Sequence, residues 1–212
     1  MPGRLYHAMW GRWFASLYDV GFAAAERSGL RDLRREVLSQ STGRTVELGA
    51  GTGLNLEHYP AAVTSLLLTE PDPHMARKLA LALSRSSVPA ELRQTQADAI
   101  PVADASVDTV ISTLVMCTVP DPAAAFDEVA RVLKPGGRLL FIEHVRSSSP
   151  PLAKWQDRLR VPWSRCACGC QCNRATIDVL VASPLRLQSS RTARLRWLTP
   201  LLRELVIGCA IR

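Results

Sequence analysis

Apolar positions along this chain follow two rhythms, a helical one first and a strand-and-helix alternation after it. Over residues 5–40 they recur at helical spacing, which predicts two helices, Leu5–Val20 and Phe22–Leu38. The first carries an aromatic stripe of Tyr6, Trp10, Trp13, Phe14 and Tyr18. The second is amphipathic, with charges including Glu26, Arg31, Arg34 and Glu36. Ser39–Gly43 reads as a loop. Beyond it the apolar runs become short and rich in β-branched residues or leucine. They predict strands opening at Thr45, at Ser65–Thr69, around Leu92–Thr95, at Val107–Ser112 and at Arg138–Ile142. Helices fit between them at Pro73–Ser84 and Asp121–Leu133. Asp72 and Asp121 supply the caps, and Pro73 and Pro122 suit the first turns. Strands alternating with helices over about 100 residues predict an α/β fold built on a doubly wound parallel sheet.

The densest chemical signal lies at the first strand, Thr45-Val-Glu-Leu-Gly-Ala-Gly-Thr-Gly53. Glycines at Gly49, Gly51 and Gly53 let the backbone take positive φ and turn close against a ligand. Leu54–His58 then reads as a first helical turn, whose unpaired N–H groups suit electron-rich ligand atoms. Strand, glycine turn and helix is how open α/β sheets build a nucleotide site; ordinary tight turns gather glycine too. Later strand ends add acids. Glu70, followed by Pro71, falls 17 residues after Gly53, where a carboxylate can accept from both hydroxyls of a ribose. Asp98, beside Ala99, follows the third strand and could accept from an exocyclic amine such as that of adenine.

Composition and charge narrow the picture. A chain of 212 residues can bury a full core without staples. No apolar run is long enough to span a membrane, and Trp10, Arg12, Trp13 and Asp19 interrupt any candidate signal peptide. A cytoplasmic protein with mostly reduced cysteines is expected. The net charge of +7 is uneven: residues 1–150 carry 15 basic and 16 acidic side chains, residues 151–212 carry 11 and 3. That basic third could attract nucleic acid, anionic lipid or an acidic substrate. With 23 Arg against 3 Lys, and no basic helix with interleaved aromatics, a solvated surface is the reading adopted and no nucleic-acid partner is expected. The aromatic stripe of the first helix is compatible with a membrane surface, although that partner is not expected either.

Taken as a set, the acid-x-Gly-x-Gly-x-Gly run, Glu70, Asp98 and a helix closing in Val132-Leu-Lys-Pro-Gly-Gly137 resemble class I S-adenosylmethionine-dependent methyltransferases. The resemblance covers roughly residues 40–145. The Leu133–Gly137 turn is foreign to the dinucleotide dehydrogenase pattern, which sets NAD aside. A narrower similarity runs through Ser106–Cys117, Phe141–Val145, Trp155-Gln156, Gly169-Cys170 and Arg174 with Thr176. It is to the methyltransferase-like thiol S-methyltransferases, microsomal enzymes that methylate small alkyl thiols. That family's membrane-anchoring apolar helix is not found in this sequence, so no anchor is expected.

The resemblance implies a Rossmann-like, mostly parallel seven-stranded sheet over residues 41–212, preceded by a helical cap over residues 1–40. It implies S-adenosyl-L-methionine as cofactor and a small, lipophilic methyl acceptor, preferably an alkyl thiol; a phospholipid or quinone acceptor is the alternative. The backbone around Gly49, Ala50, Gly51 and Gly53 would hold the methionine moiety, Glu47 would support that turn or reach the cofactor's amino group, and Asn55 would join the cofactor-binding residues. Glu70 and Pro71 would hold the ribose, Asp98 and Ala99 the adenine, and Thr113 with Leu114 the floor near the sulfonium. Tyr18 would either cover the cofactor or serve as core. His144, after the fifth strand, is the candidate catalytic base for a thiol, with a structural histidine as the other reading. Cys166, Cys168, Cys170 and Cys172 stand at alternate positions. Zinc or Cu(I) binding is weighed against an apolar, reduced loop, and the loop is preferred, so no metal is expected. The rival functional class is a non-catalytic protein that keeps the cofactor fold; the intact glycine turn and both acids argue against it.

Overall fold

The computed structural model describes residues 15–16, 18–86, 88–195 and 199–212. Of the first expected helix, Tyr6, Trp10, Trp13 and Phe14 therefore lie outside the described residues, as does His7. Seven strands make one sheet: β1 (Gly43–Leu48), β2 (Val63–Thr69), β3 (Ala90–Arg93), β4 (Val107–Thr113), β5 (Leu133–His144), β6 (Arg186–Arg194) and β7 (Glu204–Ile211). Their order is β3-β2-β1-β4-β5-β7-β6. β1 to β5 are mutually parallel, and β7 runs antiparallel to both β5 and β6. The strand order reverses between β1 and β4, the point where sheets of this kind open a ligand crevice at their carboxyl ends.

Alternation along the strands supplies both faces. On β4 and β5, Val110, Leu139 and Phe141 pack into one core with Phe126 and Val129, while Ile111, Leu140 and Ile142 pack into another with Leu30, Val37 and Leu38. Burial on both faces is what makes these strands read as near-continuous apolar runs. The helices are α1 (Arg31–Leu38), α2 (Pro73–Leu83), α3 (Pro122–Val132), α4 (Pro150–Cys166) and α5 (Thr176–Val181). Asp72 caps α2 by accepting from the His74 and Met75 amides at 2.8 and 2.9 Å. Asp121 caps α3 by accepting from Ala123 and Ala124 at 3.0 and 3.1 Å. Both caps stand where the sequence places them.

Three local expectations need correction. The residues after the glycine turn form only a 3₁₀ turn, Leu56–His58, and the chain leaves it extended at Tyr59. β3 begins and ends two residues before the expected span. Near the start, residues 18–25 are helical straight through Gly21, and the break comes at Gly29, where φ is +121° before α1. Leu30, Val37 and Leu38 bring this segment onto the sheet. No helix among the described residues is long and apolar enough to cross a membrane.

Candidate active site

Where β1 ends, Gly49, Gly51 and Gly53 take φ of +52°, +59° and +91°. Two of them have no room for a side chain: a Cβ at Gly49 would lie 3.0 Å from Val115, and one at Gly53 2.9 Å from Leu56. The turn is tied to β2 by the Ala50 amide, which donates to the Thr69 carbonyl at 2.8 Å. Glu70 stands beside it at the end of β2. One carboxylate oxygen accepts from the Gly51 amide and the other from the Asp72 amide, both at 2.8 Å. Burial pushes the Glu70 pKa up, and the two amides oppose the shift. A carboxylate oxygen holding one amide keeps a lone pair for a ligand hydroxyl.

Beneath the turn lies a buried polar network. Glu47 accepts from Asn55 Nδ2 at 2.8 Å and from the Tyr59 hydroxyl at 2.5 Å. Asn55 Nδ2 also reaches Thr113 Oγ1 at 3.1 Å, and Asn55 Oδ1 accepts from Arg34 at 2.9 Å. Arg34, only 4% exposed, pairs with Glu26 at 3.1 Å. Burial raises the Glu47 pKa against these donors. Glu47 and Asn55 thus meet each other beneath the turn, joined by Arg34 and Tyr59, which the sequence reading missed. Arg34 carried a signal: with Leu30, Val37 and Leu38 it falls on one helical stripe, a core position for a charge.

Tyr18 and Asp19 lie against this floor. Asp19 accepts from Thr52 Oγ1 at 2.6 Å and pairs with Lys78 at 3.1 Å. Tyr18 stacks on Phe22 with ring centroids 4.5 Å apart, and burial pushes its hydroxyl up to about 12. Tyr18, Arg34, Glu47, Gly49, Asn55 and Thr113 enclose about 20 Å³, room for a water and not for a nucleoside. Pro71 is exposed, as are Asp98 and Ala99 in the turn after β3, on the same edge but outside that lining.

On the other side of the switch point the edge is built differently. Leu114 takes φ of +61° and donates its amide to Ile142 at 2.7 Å, closing the end of β4 onto β5. Glu143, fully buried, accepts from Ser112 Oγ at 2.7 Å and from the Val115 and Met116 amides at 3.1 Å. Arg174 donates to the Met116 and Val119 carbonyls at 2.7 and 2.6 Å. His144 is buried with Nε2 3.1 Å from Cys170 Sγ, while its Nδ1 has no hydrogen-bond partner among the described residues. The alternating cysteines do not act as a unit: Cys166 and Cys168 are exposed, Cys170 and Cys172 buried. Cys170 meets Cys117, which follows β4. A hydrogen bond from Cys117 draws the Cys170 pKa down and pushes that of Cys117 up.

A sheet that reverses at β1 and β4, with a glycine turn and an acid at the next strand end, has the form of a nucleotide-cofactor site. Residues 46–141 match the model of the methyltransferase domain family. Human thiol S-methyltransferase TMT1B is 36% identical over 155 residues, covering 68% of this chain and 63% of that protein. The chain thus spans less than two thirds of that relative. Human thiol S-methyltransferase TMT1A is 30% identical over 212 residues, with 94% and 83% covered. A phosphatidylethanolamine N-methyltransferase from Cereibacter sphaeroides is 32% identical over 150 residues, with 70% and 72% covered. A solved SAM-dependent methyltransferase from Thermotoga maritima superposes with a TM-score of 0.69 at 20% identity, covering 96% of this chain and 99% of that one. The chain belongs to the class I S-adenosylmethionine-dependent methyltransferases. The left-handed glycine turn and the Glu70 carboxylate, whose oxygens each hold a single amide, fit that family's cofactor.

Proposed function

We propose that this protein transfers the methyl group of S-adenosylmethionine to a small alkyl thiol. The observation that carries the acceptor is the Arg174 guanidinium beside the β4–β5 edge: it donates to the Met116 and Val119 carbonyls on either side of Cys117, and its charge favours a thiolate over a cationic amine. Similarity to the thiol S-methyltransferases supports the same acceptor.

In this reading the turn from Gly49 to Gly53 holds the methionine moiety, Glu70 the ribose, Asp98 with Ala99 the adenine, and Thr113 with Leu114 the floor. The bound cofactor supplies an electrophilic methyl group on a sulfonium. The chain itself orients the acceptor and excludes water, and orientation alone contributes about 7–11 kcal/mol. Asp19, clasped to Thr52 and Lys78, lies against the turn. His144 is expected to act through Cys170, since Nε2 faces that sulfur and the ring is enclosed.

The test is methyl transfer from labelled S-adenosylmethionine into three probes: an alkyl thiol, phosphatidylethanolamine vesicles and a hydroquinone. Label in the thiol, with rates rising with pH through the thiol's own pKa, is the expected result. The second reading, lipid-amine methylation, is favoured by similarity to the Cereibacter enzyme and by exposed Trp155 among the cations of α4. Label confined to the vesicles would replace the thiol reading with that one.

A further inference from the structure

Three buried side chains that lie far apart in sequence converge at the carboxyl edge of β4 and β5. Cys117 follows β4, His144 ends β5, and Cys170 comes after α4. One ligand atom of each lies within 4.8 Å of the other two, and all three residues are buried. We propose that this trio binds Zn²⁺, with Cys117 Sγ, Cys170 Sγ and a His144 ring nitrogen as three ligands and a fourth position open.

The spacing suits that ion. Zinc bonds of about 2.3 Å to sulfur and 2.0–2.1 Å to nitrogen in a tetrahedron put ligand atoms about 3.5–3.8 Å apart. The 3.1 Å between His144 Nε2 and Cys170 Sγ and the 4.8 Å ceiling bracket that range, so small side-chain adjustments complete the geometry. The donor set is sulfur and imidazole, which selects a borderline-soft cation over magnesium or calcium. Charge balances as well. Two thiolates neutralise the ion.

The chain holds these ligands with unusual care. Cys168 and Gly169 take φ of +46° and +92°, reversing the backbone so that Cys170 turns inward. The Gln171 amide then donates to the Cys117 carbonyl at 2.9 Å, which pins the two cysteine segments together. The Trp163 indole N–H points at Cys170 Sγ from 3.3 Å, a donor suited to a thiolate. Glu143 and Arg174 fix the loop that carries Cys117. His144 is paired into the sheet opposite Leu205, and its Nδ1 is enclosed without a partner among the described residues, leaving the sulfur pair as the ring's polar contact. No fourth cysteine joins. Cys172 is buried, but its thiol faces the Gln156 carbonyl at 3.6 Å, and Cys166 and Cys168 are exposed. Three protein ligands with one position open is the arrangement of reactive rather than purely structural zinc.

The open position would take a thiolate; this step rests on the thiol-acceptor reading above. The site itself does not, and the two can fail separately. The whole chain, stripped of metal and kept reduced, is titrated with Co²⁺ and then with Zn²⁺. A thiolate-to-cobalt charge-transfer band should saturate at one ion per chain and be displaced by one equivalent of Zn²⁺. Cys170→Ser and Cys117→Ser should lose the band, Cys166→Ser should keep it, and circular dichroism should show each variant folded. If Cys170→Ser does not fold, His144→Gln serves in its place and should shift the band and weaken Zn²⁺. Absence of the band, its survival in both cysteine variants, its loss in Cys166→Ser, or uptake of Cu⁺ alone would each overturn the zinc assignment. Adding an alkyl thiol should perturb the cobalt spectrum; an unperturbed spectrum would overturn the open position. Cobalt binding without thiol methylation would overturn the acceptor reading and leave the site standing.

Discussion

Two buried glutamates, Glu47 at the end of β1 and Glu143 at the end of β5, anchor the two halves of the site in opposite ways. Among the described residues Glu47 is met by side chains, Asn55 and Tyr59, whose polar ends can rotate. Glu143 is met by one hydroxyl and two backbone amides, which cannot. The floor around Glu47 can therefore re-sort its hydrogen bonds, whereas the Glu143 anchor is fixed by the backbone. Adjustable donors suit a cradle that must open, and fixed donors suit a wall that must align a nucleophile.

The strongest way to break this comparison is Arg34→Ala. It strands Glu26 and leaves Asn55 Oδ1 without its donor, and losing one partner of a buried ion pair costs about 3–5 kcal/mol. Urea unfolding should show that loss; a cost below about 1 kcal/mol would mean that the network under the turn is not what seats α1. Next comes Glu143→Gln. An amide has one acceptor oxygen where the carboxylate has two, so a buried backbone N–H loses its partner at about 1–3 kcal/mol. The same measurement on Glu47→Gln supplies the contrast drawn below.

Glu70→Ala probes the cofactor directly. Calorimetry with S-adenosylhomocysteine should show about 1.5–3 kcal/mol of lost affinity, the range for hydrogen bonds to a charged group. Unchanged affinity in a folded variant would remove Glu70 from the ribose site. The smallest effect belongs to Glu47→Gln, expected within about 1 kcal/mol of the parent at neutral pH because Asn55 and Tyr59 can turn. Its sign varies with pH. Burial raises the folded pKa of Glu47, so its contribution to stability is complete below the unfolded value and is lost as pH rises through the folded one. Glutamine does not titrate, and the variant should gain on the parent over that window. A variant that instead falls behind as pH rises would show that Glu47 is stabilised as a carboxylate.

The cofactor half was legible because it is nearly contiguous. Glu47 to Gly53 is one strand end, and Glu70 is the next, so spacing alone brings them together. Arg34 escaped because a charge on an amphipathic helix ordinarily faces water, and only its place on the apolar stripe betrays it. The sulfur site was harder. Cys117, His144 and Cys170 meet through the docking of α4 and the reversal at Cys168 and Gly169, neither of which leaves a periodic trace. The alternate cysteines read as a loop, and past the end of α4 the chain does turn, but alternation alone does not tell that Cys170 and Cys172 are buried while Cys166 and Cys168 stay outside. β6 also lacks a pattern, since its residues are mostly exposed and rich in arginine and serine.

The placement of β7 bears on the order in which this protein can assemble. It follows all other strands in sequence yet lies between β5 and β6, with Arg138 opposite Ile211 and His144 opposite Leu205. During synthesis, β5 and β6 must wait with open edges until residues 204–211 leave the ribosome. Non-local pairing of this kind folds slowly, and unpaired strand edges are where chains stick to one another. The wall behind His144 is thus among the last parts of the sheet to close.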